Sequence, residues 1–316
     1  MGNYILRRMA MLIPTLVGMS ILIFLMLRLL PGDIVDIMMG TDAQAGAEAE
    51  ERLRDSFGLN DPIPIQYLNW IGNMFQGDFG ESMRTGRPVV DILLSALPIT
   101  VELAFLAVVI ATIVAIPLGV ISAIKRDTAL DFGARISGLV GLSVPNFWLA
   151  TLMLLATSTL IGWTPSLSYI SPLEDPVGNL RQFLLPALAL SVQLMAIEMR
   201  MTRTAMLEVL GQDYIRTARA KGLAERLVVY RHALRNSLIP VITVIGFQLG
   251  SLMGTAAIVE VIFGFNGVGN TLLQAIFNRD YPVVQASVLY LAVAFVLINL
   301  LVDILYVFID PRIKQS

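Results

Sequence analysis

No cysteine occurs in the 316 residues, and histidine occurs once, as His232. Together these absences exclude disulfides, thiolate metal centres, cysteine nucleophiles and any clustered His/Cys ligand set. They leave the redox compartment undecided. Lysine is almost missing too: Lys125, Lys221 and Lys314 are followed by Arg126, Gly222 and Gln315. A P-loop needs G-x-x-x-x-G-K-[ST], so none of the three is a Walker lysine. Charge is sparse throughout. Only 15% of residues are charged and 56% are hydrophobic, against roughly 25% and 45–50% in soluble domains. So little polar side chain cannot enclose so much apolar side chain, which excludes a large soluble globule. The net charge of −2 gives no reason to expect a nucleic-acid partner.

What is abundant is long apolar runs. A bilayer core about 30 Å thick requires about 20 residues at about 1.5 Å each. Six segments satisfy this, at 9–30, 98–123, 135–161, 183–205, 237–262 and 283–308. Pro145, Pro186 and Pro240 fall inside the third, fourth and fifth, as membrane helices tolerate. The first run follows Arg7 and Arg8 but exceeds the ~7–15 residues of a signal h-region and has no A-x-A site after it, so it reads as a retained helix. The expectation is one all-α, multi-pass transmembrane domain over 1–316 with about six spans.

Basic residues set the orientation. With both termini inside, the inner side holds Arg7, Arg8, Lys125, Arg126, Arg135, Arg200, Arg203, Arg216, Arg219, Lys221, Arg226, Arg231, Arg235, Arg312 and Lys314. The outer side holds only Arg52, Arg54, Arg84, Arg87, Arg181 and Arg279, and Arg28 lies within the first span, where it is expected to snorkel outward. The positive-inside rule therefore places both termini in the cytoplasm. It also places 31–97 outside, and that loop is rich in acid, with Asp33, Glu50, Asp78 and Asp91 among its residues.

The outer loop reads as a helix over Ala43–Phe57 stopped by Gly58, then a second helix capped by Asp61 with Pro62 at its first position. Tyr67, Trp70 and Ile71 share one face of it, with Trp70 as a candidate interfacial belt residue. Gly77-Asp78-Phe79-Gly80 forms a turn. The cytoplasmic loop, 205–236, is more informative. Asp213 is positioned to cap a short helix over Tyr214–Lys221, and Gly222 to end it in the left-handed conformation. Tyr214, Thr217, Ala218 and Lys221 fall on one face. Small residues there suit close approach by a partner, with Tyr214 as an aromatic anchor, as when a helix docks in a groove. A basic loop resting on anionic lipid explains the arginines but not the capped helix, the paired alanines and the glycine stop.

Several polar residues lie at bilayer depth: Glu102, Gln193, Glu198, Gln248, Asn299 and Asp303. Such groups normally face the bundle or a water-filled path. Glu198 is expected to pair with Arg200 at the inner interface. Glu102, Gln248, Ser251, Thr255 and Asp303 are the candidates for a translocation path, although small residues around Gln248 equally suit close helix packing. No catalytic residues are assigned, because the carboxylates are unpaired in sequence and His232 stands alone on the cytoplasmic side.

The run Asp213-Tyr214-Ile215-Arg216-Thr217-Ala218-Arg219-Ala220-Lys221-Gly222-Leu223, followed by His232-Ala233-Leu234-Arg235-Asn236, resembles the EAA loop of ABC importer permeases. Ala218, Gly222 and Leu234 agree with the general pattern. Arg216 and Thr217 stand where Glu and Ala are usual, and such departures resemble the dipeptide, oligopeptide and nickel branch. The resemblance continues along the chain. It takes in Pro31-Gly32-Asp33, Phe57-Gly58-Leu59, Asp61-Pro62, Gln66-Tyr67, Trp70, Gly77-Asp78-Phe79-Gly80-Glu81-Ser82, Glu260, Phe263, Gly267-Val268-Gly269, Arg279-Asp280-Tyr281-Pro282 and Asp310-Pro311-Arg312. It is nearest to the dipeptide permease type with a large outer loop. The resemblance implies a type I ABC importer permease fold in a bacterial inner membrane. It further implies a second permease subunit, two ATPase subunits that hold ATP and Mg, an extracytoplasmic binding protein, and no cofactor on this chain. The helix through Asp213–Leu223 would be the coupling helix. The solute stays open among dipeptides, oligopeptides, glutathione, opines and nickel chelates. A self-sufficient secondary transporter would instead show internal repeats with matching broken helices, and no repeat is evident.

Overall fold

The computed structural model describes residues 2–28, 51, 54, 55 and 59–309. The expected helix over Ala43–Phe57 with its Gly58 stop falls mainly outside them. So do Pro31-Gly32-Asp33, Asp310-Pro311-Arg312 and the side chain of Asp303. The described residues form helices and no strand: α1 (Gly2–Arg28), α2 (Ile63–Phe75), α3 (Val89–Ile124), α4 (Ala129–Ser143), α5 (Asn146–Ile161), α6 (Pro176–Leu210), α7 (Asp213–Ala220), α8 (Glu225–Thr255), α9 (Ala257–Phe263), α10 (Val268–Phe277) and α11 (Tyr281–Ile309). Five helices are individually long and apolar enough to cross a membrane, and α4 with α5 would make a sixth crossing.

The third expected span, 135–161, is not one helix. α4 and α5 meet at a bend of 97°. Proline drives its predecessor out of the helical region, and Val144 is extended at φ −85° and ψ 121° before Pro145, which becomes the N-cap of α5. Pro186 and Pro240 stay inside continuous helices. The fifth expected span, 237–262, is likewise divided, at Ala256 between α8 and α9. At α2 the expected cap shifts by one residue: Pro62 is the N-cap and makes no side-chain cap bond. Gln66 does the tying instead, its Nε2 donating to the Leu59 and Asp61 carbonyls at 3.0 and 2.7 Å.

α3 and α6 form the central pair. Along α3, Ala107, Ala111, Ala115 and Gly119 recur every fourth residue and are all buried. That seam lets two backbones approach closely, the packing device of membrane helices. At Gly119 a Cβ would stand 2.7 Å from Thr202 Cβ and 2.8 Å from the Met199 carbonyl oxygen. Leu103, Phe183 and Leu190 are fully buried in the apolar cluster built around this pair. α8 packs on α6 and on α11, where Gly246 and Gly250 receive Val302 and Phe295.

The outer elements are pinned by buried polar groups. Glu260 of α9 is fully buried and accepts bonds from Thr100 Oγ1 at 2.6 Å and from the Asn270 N–H at 2.8 Å. Thr100 Oγ1 in turn accepts from the Val268 N–H at 2.8 Å. A carboxylate against the first turn of α10 satisfies donors that a helix start leaves open. Gly267 presses on that carboxyl group so closely that a Cβ would lie 2.4 Å from its carbon. Asp280 fastens the turn after α2 to the α10–α11 corner, accepting from Ser82 Oγ at 2.5 Å and from the Met83 N–H at 3.1 Å. Trp70 leans on α1, 5.6 Å from Phe24, and Tyr67 Oη lies 2.7 Å from Ser20 Oγ. Arg28 carries its guanidinium 4.7 Å above the Phe24 ring.

Candidate functional site

α6 ends at Leu210, and Gln212, extended at ψ 148°, turns the chain into α7. Asp213 is therefore the first helical residue and not the cap, and Gln212 makes no side-chain cap bond. Asp213 contributes as an acidic residue in the first turn, beside the helix dipole's positive end. The stop is as expected: Gly222 has φ +78°, and its N–H donates to the Arg219 carbonyl at 2.9 Å. Only glycine takes that conformation without cost.

Which face of α7 looks outward differs from the expectation. Ile215 and Ala218 are buried, in one apolar cluster with Val120, Ala123, Met206, Val228, Val229 and Ala233. Ala218 thus seats α7 on its own chain and leaves little of its surface open. The stripe of small residues was legible; what it packs against was not, because both surfaces are apolar. Asp213, Arg216, Thr217, Ala220 and Lys221 are exposed, as is Leu223 beyond the helix.

Two polar links tie α7 to α8. Tyr214 remains 43% exposed, yet its hydroxyl accepts from Asn236 Nδ2 at 2.8 Å and lies 3.5 Å from the His232 carbonyl. Arg219 grips Glu225 with two bonds, Nε to Oε2 at 3.1 Å and Nη2 to Oε1 at 2.7 Å. A two-point guanidinium–carboxylate fork fixes direction as well as distance. Sequence reading missed Asn236 and Glu225 as partners, although Glu225 stands six residues past Arg219 across a glycine turn. The result is a short surface helix clamped to the end of α6 by packing and to the start of α8 by hydrogen bonds.

The path candidates are not gathered into one site. Gln248 is buried and points at α6, its Nε2 donating to the Leu194 carbonyl at 3.4 Å, while its Oε1 has no partner. Ser251 and exposed Thr255 spend their hydroxyls on the carbonyls of Gln248 and Ser251, 3.0 and 3.1 Å away. Glu102 lies apart, accepting from Tyr169 Oη at 3.2 Å. Burial and the neighbouring Glu102 carboxylate raise the Tyr169 hydroxyl above its ordinary pKa. Glu198 does not pair with Arg200. It is fully buried beside Thr112, and among the described residues no basic side chain pairs with it. Residues two apart on a helix do not face each other, so Arg200 looks outward while Glu198 looks into the bundle.

Two family profiles account for almost the whole length. Residues 115–315 match the binding-protein-dependent transport system inner membrane component, and residues 1–104 match that system's N-terminal membrane component. The chain belongs to this family. Among curated relatives of this transport family, the di/tripeptide transport system permease protein of Pseudomonas aeruginosa is 43% identical, with 100% of both chains covered. The oligopeptide transport system permease protein of Bacillus subtilis is 41% identical over 99% of this chain and 100% of its own. The dipeptide transport system permease protein of Escherichia coli is 40% identical, again with 100% of both covered. Among solved structures, an inward-facing conformation of the MetNI methionine ABC transporter is similar in fold, with a TM-score of 0.55. It is 19% identical and covers 69% of this chain and 96% of its own. This transport-family chain is a membrane component and not an enzyme.

Proposed function

We propose that this chain is one of two permease subunits of an importer that moves short peptides across a bacterial inner membrane. In this reading a second, related permease completes the path, and two ATPase subunits on the cytoplasmic side bind ATP and Mg. A binding protein outside delivers the solute to the face that carries the 31–97 loop. The relatives' names, over the full length of the chain, favour peptides over nickel chelates, opines or glutathione.

The observation that carries the coupling part is the mounting of α7. Its exposed residues, Asp213, Tyr214, Arg216, Thr217 and Lys221, form a polar face suited to an ATPase groove. Its buried Ile215 and Ala218, with the Arg219–Glu225 fork, hold it to the ends of α6 and α8. A displacement imposed on α7 therefore reaches two spans without slack. Closing of the ATPase pair would be converted into rigid-body movement of the helices. Ser251 and Thr255, whose hydroxyls already bond their own helix, would line the path passively, with Gln248 turned to α6 and Glu102 standing apart from them.

The test is uptake of labelled dipeptide into proteoliposomes holding both permeases and both ATPases, with binding protein added. Uptake that requires ATP and every subunit is expected. Uptake by this chain alone, or a solute screen on the binding protein that returns no peptide, would refute the reading.

A further inference from the structure

A cleft of about 600 Å³ opens between α4 and α6 at the end of the bundle that carries the basic residues. Its lining has two parts. Gly138, Leu139, Leu142, Ala196, Met199 and Leu207 make an apolar floor. Arg126, Arg135, Arg200 and Arg203, drawn from three stretches of chain, stand around it with Asp127 and Thr204.

The charges do not cancel. Arg203 is committed to buried Asp131, through Nε at 2.7 Å and Nη2 at 2.9 Å, and Ser122 Oγ donates to the same carboxylate at 2.6 Å. Asp127 stands 3.3 Å from Arg126. Arg135 lies 5.4 Å over the Phe132 ring, and neither it nor Arg200 has a carboxylate partner among the described residues. Two guanidiniums are therefore left uncompensated beside an apolar trough. A free anion would use the guanidiniums and waste the trough, and a neutral apolar chain would do the reverse.

We propose that this cleft is a binding site for an anionic glycerophospholipid of the cytoplasmic leaflet. The phosphate sits between Arg135 and Arg200, and an acyl chain lies along Leu139, Leu142 and Ala196. Basic pockets between membrane helices on the cytoplasmic side suit such headgroups, and planar guanidinium forks suit phosphate. The Asp131–Arg203 pair is the positioning element, joining the start of α4 to α6 so that the two walls keep their spacing. The site is independent of the peptide-import reading, since it needs only that the basic end face the cytoplasm.

The test uses the full importer complex released from membranes in mild detergent, with bound lipids counted by native mass spectrometry. The unaltered complex is expected to retain phosphatidylglycerol or cardiolipin in preference to phosphatidylethanolamine. Arg135→Gln with Arg200→Gln should lower that retention roughly thirtyfold, at about fivefold per lost cation. Arg231→Gln removes an exposed charge from the same end outside the cleft and should change nothing. Equal losses in both variants would reduce the effect to general attraction by a basic surface and overturn the site. So would a cleft that retains inorganic phosphate as firmly as the lipid, or that holds a bound dipeptide in the lipid's place. ATP-dependent dipeptide uptake by the same preparations reports separately on the import reading.

Discussion

Arg219 at the end of α7 and Glu225 at the start of α8 face each other across the Gly222 turn, joined by two hydrogen bonds of 2.7 and 3.1 Å. Both side chains are partly exposed, and such pairs contribute about 1 kcal/mol or less to stability. The importance of the pair is mechanical. Together with the Asn236–Tyr214 bond it braces α7 against α8.

Arg219→Ala and Glu225→Ala should therefore leave thermal stability nearly unchanged, within about 1 kcal/mol, while raising ATP consumed per solute imported. The reversed pair Arg219→Glu with Glu225→Arg should restore coupling. Uptake and phosphate release measured on the same proteoliposomes check this, and unaltered stoichiometry in the single variants would count against it.

Ala218→Leu should overpack the cluster beneath α7 at a cost of about 1–3 kcal/mol. Because Ala218 is buried in its own chain's cluster, the loss of thermal stability should already be visible in the isolated, detergent-solubilised permease. An effect seen only in the assembled complex would return Ala218 to a partner-facing role.

At Gly222 a Cβ would meet nothing within 4 Å, so its constraint is conformational. Gly222→Ala should cost about 1–2 kcal/mol, Gly222→Asn less. Gly222→Pro should be the most damaging, since it fixes φ near −65° and deletes the N–H bonded to Arg219. ATPase co-purification with each variant provides the order.

The glycines of the membrane core should separate by neighbour. Gly119→Ala meets the Thr202 Cβ and a backbone oxygen, whereas at Gly254 nothing lies within 4 Å. Gly119→Ala should lower the unfolding temperature clearly, by about 1–3 kcal/mol of strain, and Gly254→Ala should not. Gly250→Ala should fall between, because the obstacle is the Phe295 ring, which can rotate.

Much of this was written in single residues. The number of apolar runs, the basic side, and the Gly222 stop all follow from local chemistry: hydrocarbon length, charge, and a backbone angle that only glycine adopts freely. The Ala107-Ala111-Ala115-Gly119 seam has a four-residue spacing visible in the sequence, but its role emerged only with the packing of α3 on α6. Pro145 was visible but ambiguous, since the same residue type is absorbed at Pro186 and breaks the helix at Val144.

Tertiary packing decided the rest, because a sequence states what a face is made of and not what lies against it. Ala218 turned inward, Glu198 was buried away from Arg200, and Glu260 became the carboxylate that holds α10 to α3. Arg126, Arg135, Arg200 and Arg203 read as scattered positive-inside charges along the chain, and only the approach of α4 to α6 gathers them around one apolar trough.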